Sequence, residues 1–174
     1  MRIAPLIGLL LLGSPTLADS KSVYLVPASG APVKIAEVTF SEDQNYTVAM
    51  VEAPFKDHFL SMRPFRCLEG PDKHWCHVPY PYEIHRNVSN DLTDLEYDFL
   101  FVWKGSTEYG INMWNGVYYK LQPDGDGRLV GILHEMNMDV LSAPPEQGVL
   151  RPLKAGDLHE SDPESHWLPQ LIIE

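Results

Sequence analysis

The chain has 174 residues, with 24 acidic and 13 basic side chains and a formal net charge of −11 at pH 7. This balance argues against nucleic acid and anionic lipid surfaces as partners, because both attract clustered Lys and Arg. The 15 prolines and 12 glycines show no repeat period and predict many short elements joined by turns.

The first eighteen residues are typical of a cleavable secretory signal peptide. Arg2 gives a short positive region, residues 3–12 are an apolar run, and Thr16 and Ala18 are small side chains at the two positions before a cleavage site that a signal peptidase reads. The run is shorter than the roughly 20 apolar residues of a membrane-spanning helix. We therefore expect residues 1–18 to be removed, leaving a single β-rich domain, residues 19–174. Its expected location is periplasmic or secreted, without membrane insertion after cleavage.

Strands are predicted in the N-terminal half. Residues 34–40 alternate between apolar and polar side chains, and residues 46–51 are rich in β-branched and aromatic types. Asn45 would lie in the turn between them. The secondary structure of residues 55–65 is ambiguous. The segment is apolar and aromatic, but Pro54 precedes it and Pro64 lies near its end.

Two cysteines enclose eight residues and predict one disulfide. An exported chain with Cys67 and Cys76 as its only cysteines forms most simply one bridge. Closing so short a loop contributes roughly 2–3 kcal/mol to stability. The alternative is a metal or redox thiol, because His74 and His77 flank Cys76. The spacing matches neither the usual redox motif nor the paired spacings of zinc sites.

The segment beside the second cysteine is unusually aromatic. Two prolines fix an extended backbone there, and Trp75, Tyr80 and Tyr82 are rigid groups of the kind that dominate recognition surfaces. These three residues, with His74 and His77 as pH-sensitive neighbours, are the candidate ligand-binding residues. The alternative is a loop whose aromatic side chains cover the mouth of a barrel.

Three carboxylates follow at a spacing of two. On a strand, Asp94, Glu96 and Asp98 would project from one face. They could hold a hard cation or serve as the acid and base of a small hydrolase. The simpler interpretation is a solvated outer face, with the intervening apolar residues packed inward.

A four-stranded antiparallel meander is predicted in the second half, from residues 99–103, 107–114, 117–122 and 128–141. Asn115 and Gly116 form the turn signal between its second and third strands, because both tolerate the positive φ of a type I′ turn. Both faces of this hairpin are apolar, so both should be covered, one by the barrel interior and the other by the proline-rich tail that follows residue 143.

The predicted fold class is therefore all-β, a small antiparallel barrel or sandwich with little helix. Residues 90–95 and 154–160 could each give a turn or two of helix. The proline-rich tail, residues 144–174, should pack on the domain, with its apolar end as an edge strand.

One strand face carries possible metal ligands. His134, Met136 and Met138 alternate with polar residues, and imidazole with thioether ligands suits monovalent copper in exported proteins. The alternative is a core-facing strand in which methionine fills gaps.

Catalytic signatures are missing from the sequence. It has no nucleophile elbow, phosphate loop or dinucleotide fingerprint. The sequence thus predicts a non-enzymatic binding or accessory domain without a cofactor, whose partner is a protein or small molecule and not a nucleic acid. A carboxylate-dependent hydrolase and a copper-handling protein are the alternatives.

Overall fold

The computed structural model describes residues 18–174, so the predicted signal peptide lies outside the described residues except for Ala18. No helix in the described part is long and apolar enough to span a membrane. One short α-helix, α1 (Thr93–Tyr97), and three single 3-10 turns (Met138–Leu141, Ala155–Asp157 and Pro163–Ser165) accompany the strands. The strands are β1 (Asp19–Val26), β2 (Val33–Phe40), β3 (Tyr46–Met50), β4 (Lys56–Leu60), β5 (Arg63–Glu69), β6 (Lys73–His77), β7 (Phe101–Gly105), β8 (Gly116–Pro123), β9 (Leu129–Met136), β10 (His159–Glu160) and β11 (Gln170–Ile173).

All these strands belong to one antiparallel sheet, which confirms the all-β class. Its order is β3-β2-β1-β11-β9-β8-β7-β6-β5-β4, with β10 paired to β9. The two edge strands, β3 and β4, are joined by residues 51–55 alone. Such a link reaches at most about 22 Å, whereas nine strand spacings in a flat sheet span about 43 Å. The sheet must therefore curl upon itself, as in a barrel or sandwich.

Three of the four predicted meander strands are present, as β7, β8 and β9, whereas the predicted strand 107–114 is not a strand. Strands β6, β7, β8 and β9 are consecutive neighbours in the sheet. Residues 107–114 form a loop between β7 and β8, and the predicted two-residue turn at Asn115 is wrong. Val102 pairs with Gly116 instead, and the Asn112 carbonyl accepts a hydrogen bond from the Asn115 amide within the loop.

Close packing explains why a glycine lies at position 116. A Cβ placed there would stand 2.6 Å from the Met136 carbonyl oxygen on β9. The backbone of Gly116 does not have a positive φ. Glycine is therefore required at position 116 because the backbone of β9 is close, and not because the chain turns there.

The tail ends inside the sheet and not at its edge, which corrects the expected edge strand. Strand β11 lies between β1 and β9. Leu171 and Ile173 are fully buried there. Because β11 pairs on both sides, the last residues of the chain join its N-terminal strand to the central meander.

Two hydrophobic clusters lie on opposite faces of the central strands. The inner cluster contains Trp75, Phe101 and Tyr119, together with apolar residues of β1, β2 and β11. The outer cluster contains Tyr118 and Met136, covered by residues that precede and follow α1 and by the tail. Tyr118 and Tyr119 are consecutive on β8, so this strand is buried on both faces.

Candidate functional site

The predicted disulfide is present. Cys67 and Cys76 are bonded and stand directly opposite each other on β5 and β6. Both are fully buried and pack with Leu60 and, at its edge, Ile111. The bridge thus lies beneath the β4–β5 turn and the loop that contains Ile111.

The aromatic segment is mainly core, in agreement with the alternative that its side chains cover the barrel. Trp75 is fully buried in the inner cluster, and its Nε1 donates to the Tyr119 hydroxyl at 3.1 Å. Tyr80 is buried in the outer cluster and donates to the Leu150 carbonyl at 3.0 Å. The reason is topological, because β6 lies between β5 and β7 and its alternate side chains must enter the core. Tyr82, which packs edge-on against Tyr80, is half-buried.

The two histidines of this segment are half-buried. The His77 Nε2 lies 3.0 Å from the Asp98 carbonyl oxygen. Burial lowers the pKa of both His74 and His77, and the nearby Lys104 ammonium lowers that of His74 further. Ligand binding by Trp75, Tyr80, Tyr82, His74 and His77 stays a prediction.

The three carboxylates lie on or beside α1, so their expected strand face is wrong. Asp94 and Glu96 are buried, not solvated. Asp94 accepts from the Arg151 Nε, whereas Asp98 accepts from the Tyr46 hydroxyl at 2.8 Å. Each carboxylate has its own partners, because a helix turns residues spaced by two in different directions.

Glu96 accepts more side-chain hydrogen bonds than either of the other two carboxylates. It accepts hydrogen bonds from the Tyr118 hydroxyl, the Lys120 Nζ at 3.2 Å and the Leu121 amide at 2.7 Å. Burial, together with the Glu96 charge, raises the pKa of Tyr118. The tyrosine therefore stays a donor, and Glu96 joins α1 to β8.

The proposed copper ligands are largely packed away. Met136 and Met138 are buried in the outer cluster, and the predicted strand ends at Met136. The chain then turns because the Asn137 side chain accepts from the Asp139 amide at 2.9 Å. His134 is half-buried and lines a cavity of about 320 Å³. Copper binding at these residues stays a prediction.

A shallow cleft of about 460 Å³ opens at one end of the inner cluster. Phe40, Val88, Leu92 and Leu129 line its apolar part, and all four pack against the inner cluster. Lys21 stands at the rim and donates to the Gly127 carbonyl at 2.9 Å. None of these cleft residues was predicted from the sequence to belong to a functional site.

Exposed apolar side chains concentrate in two other loops. Phe59, near the end of β4, and Met62, in the β4–β5 turn, are 72% and 87% exposed, and Tyr109 and Trp114, between β7 and β8, are 103% and 69% exposed. We call these four residues the loop surface. They are four of the seven large hydrophobic side chains that are exposed within residues 18–174. Their exposure contradicts the expectation that both faces of residues 107–114 are covered.

The β4–β5 turn is strained. Leu60 pairs with Arg63, and the two residues between them, Ser61 and Met62, have φ values of 48° and 63°. Glycine and asparagine are the usual residues in such a turn, since other side chains crowd the backbone at positive φ. Backbone strain of this kind persists at binding sites more often than elsewhere.

Hydrogen bonds join the two loops and fix the loop surface. The Ile111 amide donates to the Ser61 Oγ at 3.3 Å, across the two loops. The Trp114 Nε1 donates to Asp139 at 2.9 Å. With the disulfide cluster beneath, these contacts hold the two loops together and fix the Trp114 indole before any partner binds.

This chain matches no protein-family model, no curated protein and no solved structure. Its functional interpretation therefore depends on the geometry described above.

A buried histidine links the tail to the meander. The His166 Nε2 lies 2.9 Å from the Glu135 carboxylate, and its Nδ1 lies 3.2 Å from the Lys73 Nζ. Because an ammonium only donates, Nδ1 accepts, and the neutral imidazole donates from Nε2 to Glu135. Burial lowers the pKa of His166, and Lys73 lowers it further, while Glu135 opposes the shift.

We expect the free energy of unfolding to fall as the pH is lowered. The unfolded histidine has a pKa of about 6.5, and the folded pKa lies below it. The unfolded chain therefore binds more protons, so the stabilisation is complete above the unfolded pKa and declines as the pH falls towards the folded one. Urea unfolding of the wild type and His166→Gln between pH 7.5 and 5 should give curves that converge at low pH. The exposed His85→Gln should parallel the wild type, and parallel curves for all three would contradict the assignment.

Proposed function

We propose that this chain is an exported, non-enzymatic binding domain that contacts a partner protein through the loop surface. The observation that carries the proposal is the concentration of Phe59, Met62, Tyr109 and Trp114 in or beside two joined loops. Aromatic residues and methionine are enriched at protein interfaces. Large exposed apolar groups on two loops that are bonded to each other favour a recognition surface.

The charge distribution favours a protein partner over a lipid surface. Residues 106–115 contain one charged side chain, Glu108, which accepts from the Gly105 amide at 2.8 Å. The rest of the chain is strongly acidic. An anionic bilayer would repel it, whereas a partner with an apolar patch and a basic rim would match it.

Export is part of the same proposal. The sequence of residues 1–18 supports it, and the Cys67–Cys76 bridge needs an oxidising compartment to persist. The expected compartment of the partner is therefore the periplasm or the extracellular space.

The alternatives have less support in the geometry. A hydrolase needs an acid and a base that face one substrate, but Asp94, Glu96 and Asp98 have separate partners. A copper site needs accessible thioethers, and Met136 and Met138 are buried.

A retention experiment tests the proposal. Residues 19–174 are immobilised and exposed to the soluble exported fraction of the source cells, in parallel with the double variant Met62→Ser/Tyr109→Ser. Because both side chains are exposed, the double variant should keep its melting temperature. We expect one discrete protein to be retained by the wild type and lost by the double variant.

The control is Val149→Ser, which places a polar side chain at another exposed apolar position that does not belong to the loop surface. It should retain the same protein as the wild type. Equal retention by the wild type and the loop variant would contradict the proposal.

A further inference from the structure

Two acceptor motifs for N-linked glycans lie side by side in the fold. The motif is an asparagine followed by any residue except proline and then by serine or threonine, and it occurs at residues 45–47 and at residues 87–89. Asn45 and Asn87 form an isolated antiparallel bridge. Because the two asparagines touch, their hydrogen bonds decide which amide nitrogen is free to react.

The Asn87 side chain is fully engaged within the fold. Its Nδ2 donates to the Asp43 carbonyl at 3.0 Å and to the Asn45 Oδ1 at 2.8 Å. Its Oδ1 accepts from the amide and the hydroxyl of Ser89. A glycan on this nitrogen would replace one of its two N–H donors and leave one of the two acceptors without its partner. Asn87 is also half-buried, so the fold disfavours modification there.

Asn45 presents its amide nitrogen to solvent. It is exposed and ends the turn, residues 41–45, that joins β2 to β3. Its Oδ1 is held by Asn87, so the Nδ2 of the same planar amide points elsewhere, and this nitrogen donates no hydrogen bond within residues 18–174. Thr47, whose hydroxyl completes the motif, is exposed as well. The first motif is therefore accessible at both of its defining residues.

We propose that Asn45 is a modification site that carries an N-linked oligosaccharide. The donor class is an oligosaccharide held on a lipid diphosphate in the exporting compartment. The Asn45 Nδ2 forms a bond to the anomeric carbon of the first sugar, and the bond from that carbon to the diphosphate oxygen breaks. The lipid diphosphate leaves with the bonding electrons, and the amide proton passes to a base of the transferase. The product is a bulky, hydrophilic group on the β2–β3 turn.

The residue two positions before each asparagine separates the motifs further. It is Asp43 before Asn45 and His85 before Asn87. Bacterial transferases of the periplasm read an acidic side chain at this position in addition to the hydroxyl residue, so the first motif suits the periplasm and the secretory pathway alike. The inference rests on the export that is part of the proposed function, and not on the loop surface.

Mass analysis of the protein exported by its source cells tests the proposal. We expect a chain that begins at Asp19 and exceeds the mass of its sequence by whole sugar residues, and peptide fragmentation should locate the sugars on Asn45. Thr47→Ala removes the hydroxyl of the motif at an exposed position and keeps the asparagine, so the added mass should be lost. Thr47→Ser keeps a hydroxyl there and should keep the added mass.

Ser89→Ala is the matched control, because it destroys the second motif by the loss of one hydroxyl. It should keep the full added mass on Asn45. An exported wild type without added mass, sugars on Asn87 instead, or added mass that survives Thr47→Ala would overturn the proposal and leave the loop surface untouched. A product that retains residues 1–18 would contradict export, and with it both this proposal and the proposed function.

Discussion

Replacing Trp75 with alanine is expected to lower the free energy of unfolding by about 3–5 kcal/mol. The indole is fully buried in the inner cluster, so its removal leaves a large cavity. It also removes the donor that bonds the Tyr119 hydroxyl, which itself donates to the Leu168 carbonyl at 2.8 Å. The substitution therefore loosens the contact between the meander and the tail. Urea unfolding followed by circular dichroism measures the change.

Trp114→Ala is the matched control. Trp114 is the same residue type but belongs to the loop surface and is mostly exposed. Its removal loses one exposed hydrogen bond to Asp139 and should lower the free energy of unfolding by about 1 kcal/mol or less. If the two tryptophan variants had equal stability, the placement of Trp75 in the core would be wrong.

Glu96→Ala is the second substitution with a large expected effect, a loss of about 3–5 kcal/mol. The change leaves the Tyr118 hydroxyl and the Leu121 amide buried without an acceptor, and each such group costs about 1–3 kcal/mol. It also releases α1 from β8. Thermal and urea unfolding report the loss, and near-ultraviolet circular dichroism reports the changed surroundings of Tyr118.

Lys120→Ala separates hydrogen bonding from charge pairing at Glu96. Lys120 is about half-exposed, so its ion pair with Glu96 is screened by water and its removal should cost about 1 kcal/mol or less. Glu83→Ala, at an exposed carboxylate, should have little effect. A loss in Lys120→Ala as large as that in Glu96→Ala would show that the ion pair, and not the buried hydrogen bonds, makes Glu96 important.

Local alternation was sufficient to predict much of the sheet. Residues 34–40 and 46–51 were expected to be strands, and β2 and β3 occupy nearly the same positions. In both strands, the alternation of apolar and polar side chains reflects which face is turned towards the core. Such alternation can be read from a single sequence. The disulfide could also be predicted, because it needs only two nearby cysteines in an exported chain.

Tertiary contacts explain the failures. Asp94 and Glu96 have the spacing of a strand face, yet both are buried, because Arg151 and Tyr118 supply partners from distant parts of the chain. Gly116 resembled a turn residue, but its small size serves the contact with Met136. Such partners cannot be read from the local pattern.

The loop surface was missed for a related reason. Residues 107–114 are rich in aromatic types, which favour strands in general, so a strand was the natural prediction. Gly105, just before this segment, and Gly110, within it, were the available sequence signal for a loop. Exposure itself could not be predicted, because it depends on which part of the fold covers each residue. The tail was expected to cover this segment, but it ends between β1 and β9.

Site-specific photo-crosslinking is the most direct test of the loop surface as a binding site. A photoreactive phenylalanine analogue at position 109, in the protein expressed in its source cells, should form one discrete crosslinked product. The same analogue at position 149, which is also exposed, should not form it. The crosslink from position 109 should disappear when Met62→Ser is added, because the two loops are joined. Products that are identical from both positions, or the absence of any product from position 109, would contradict the account.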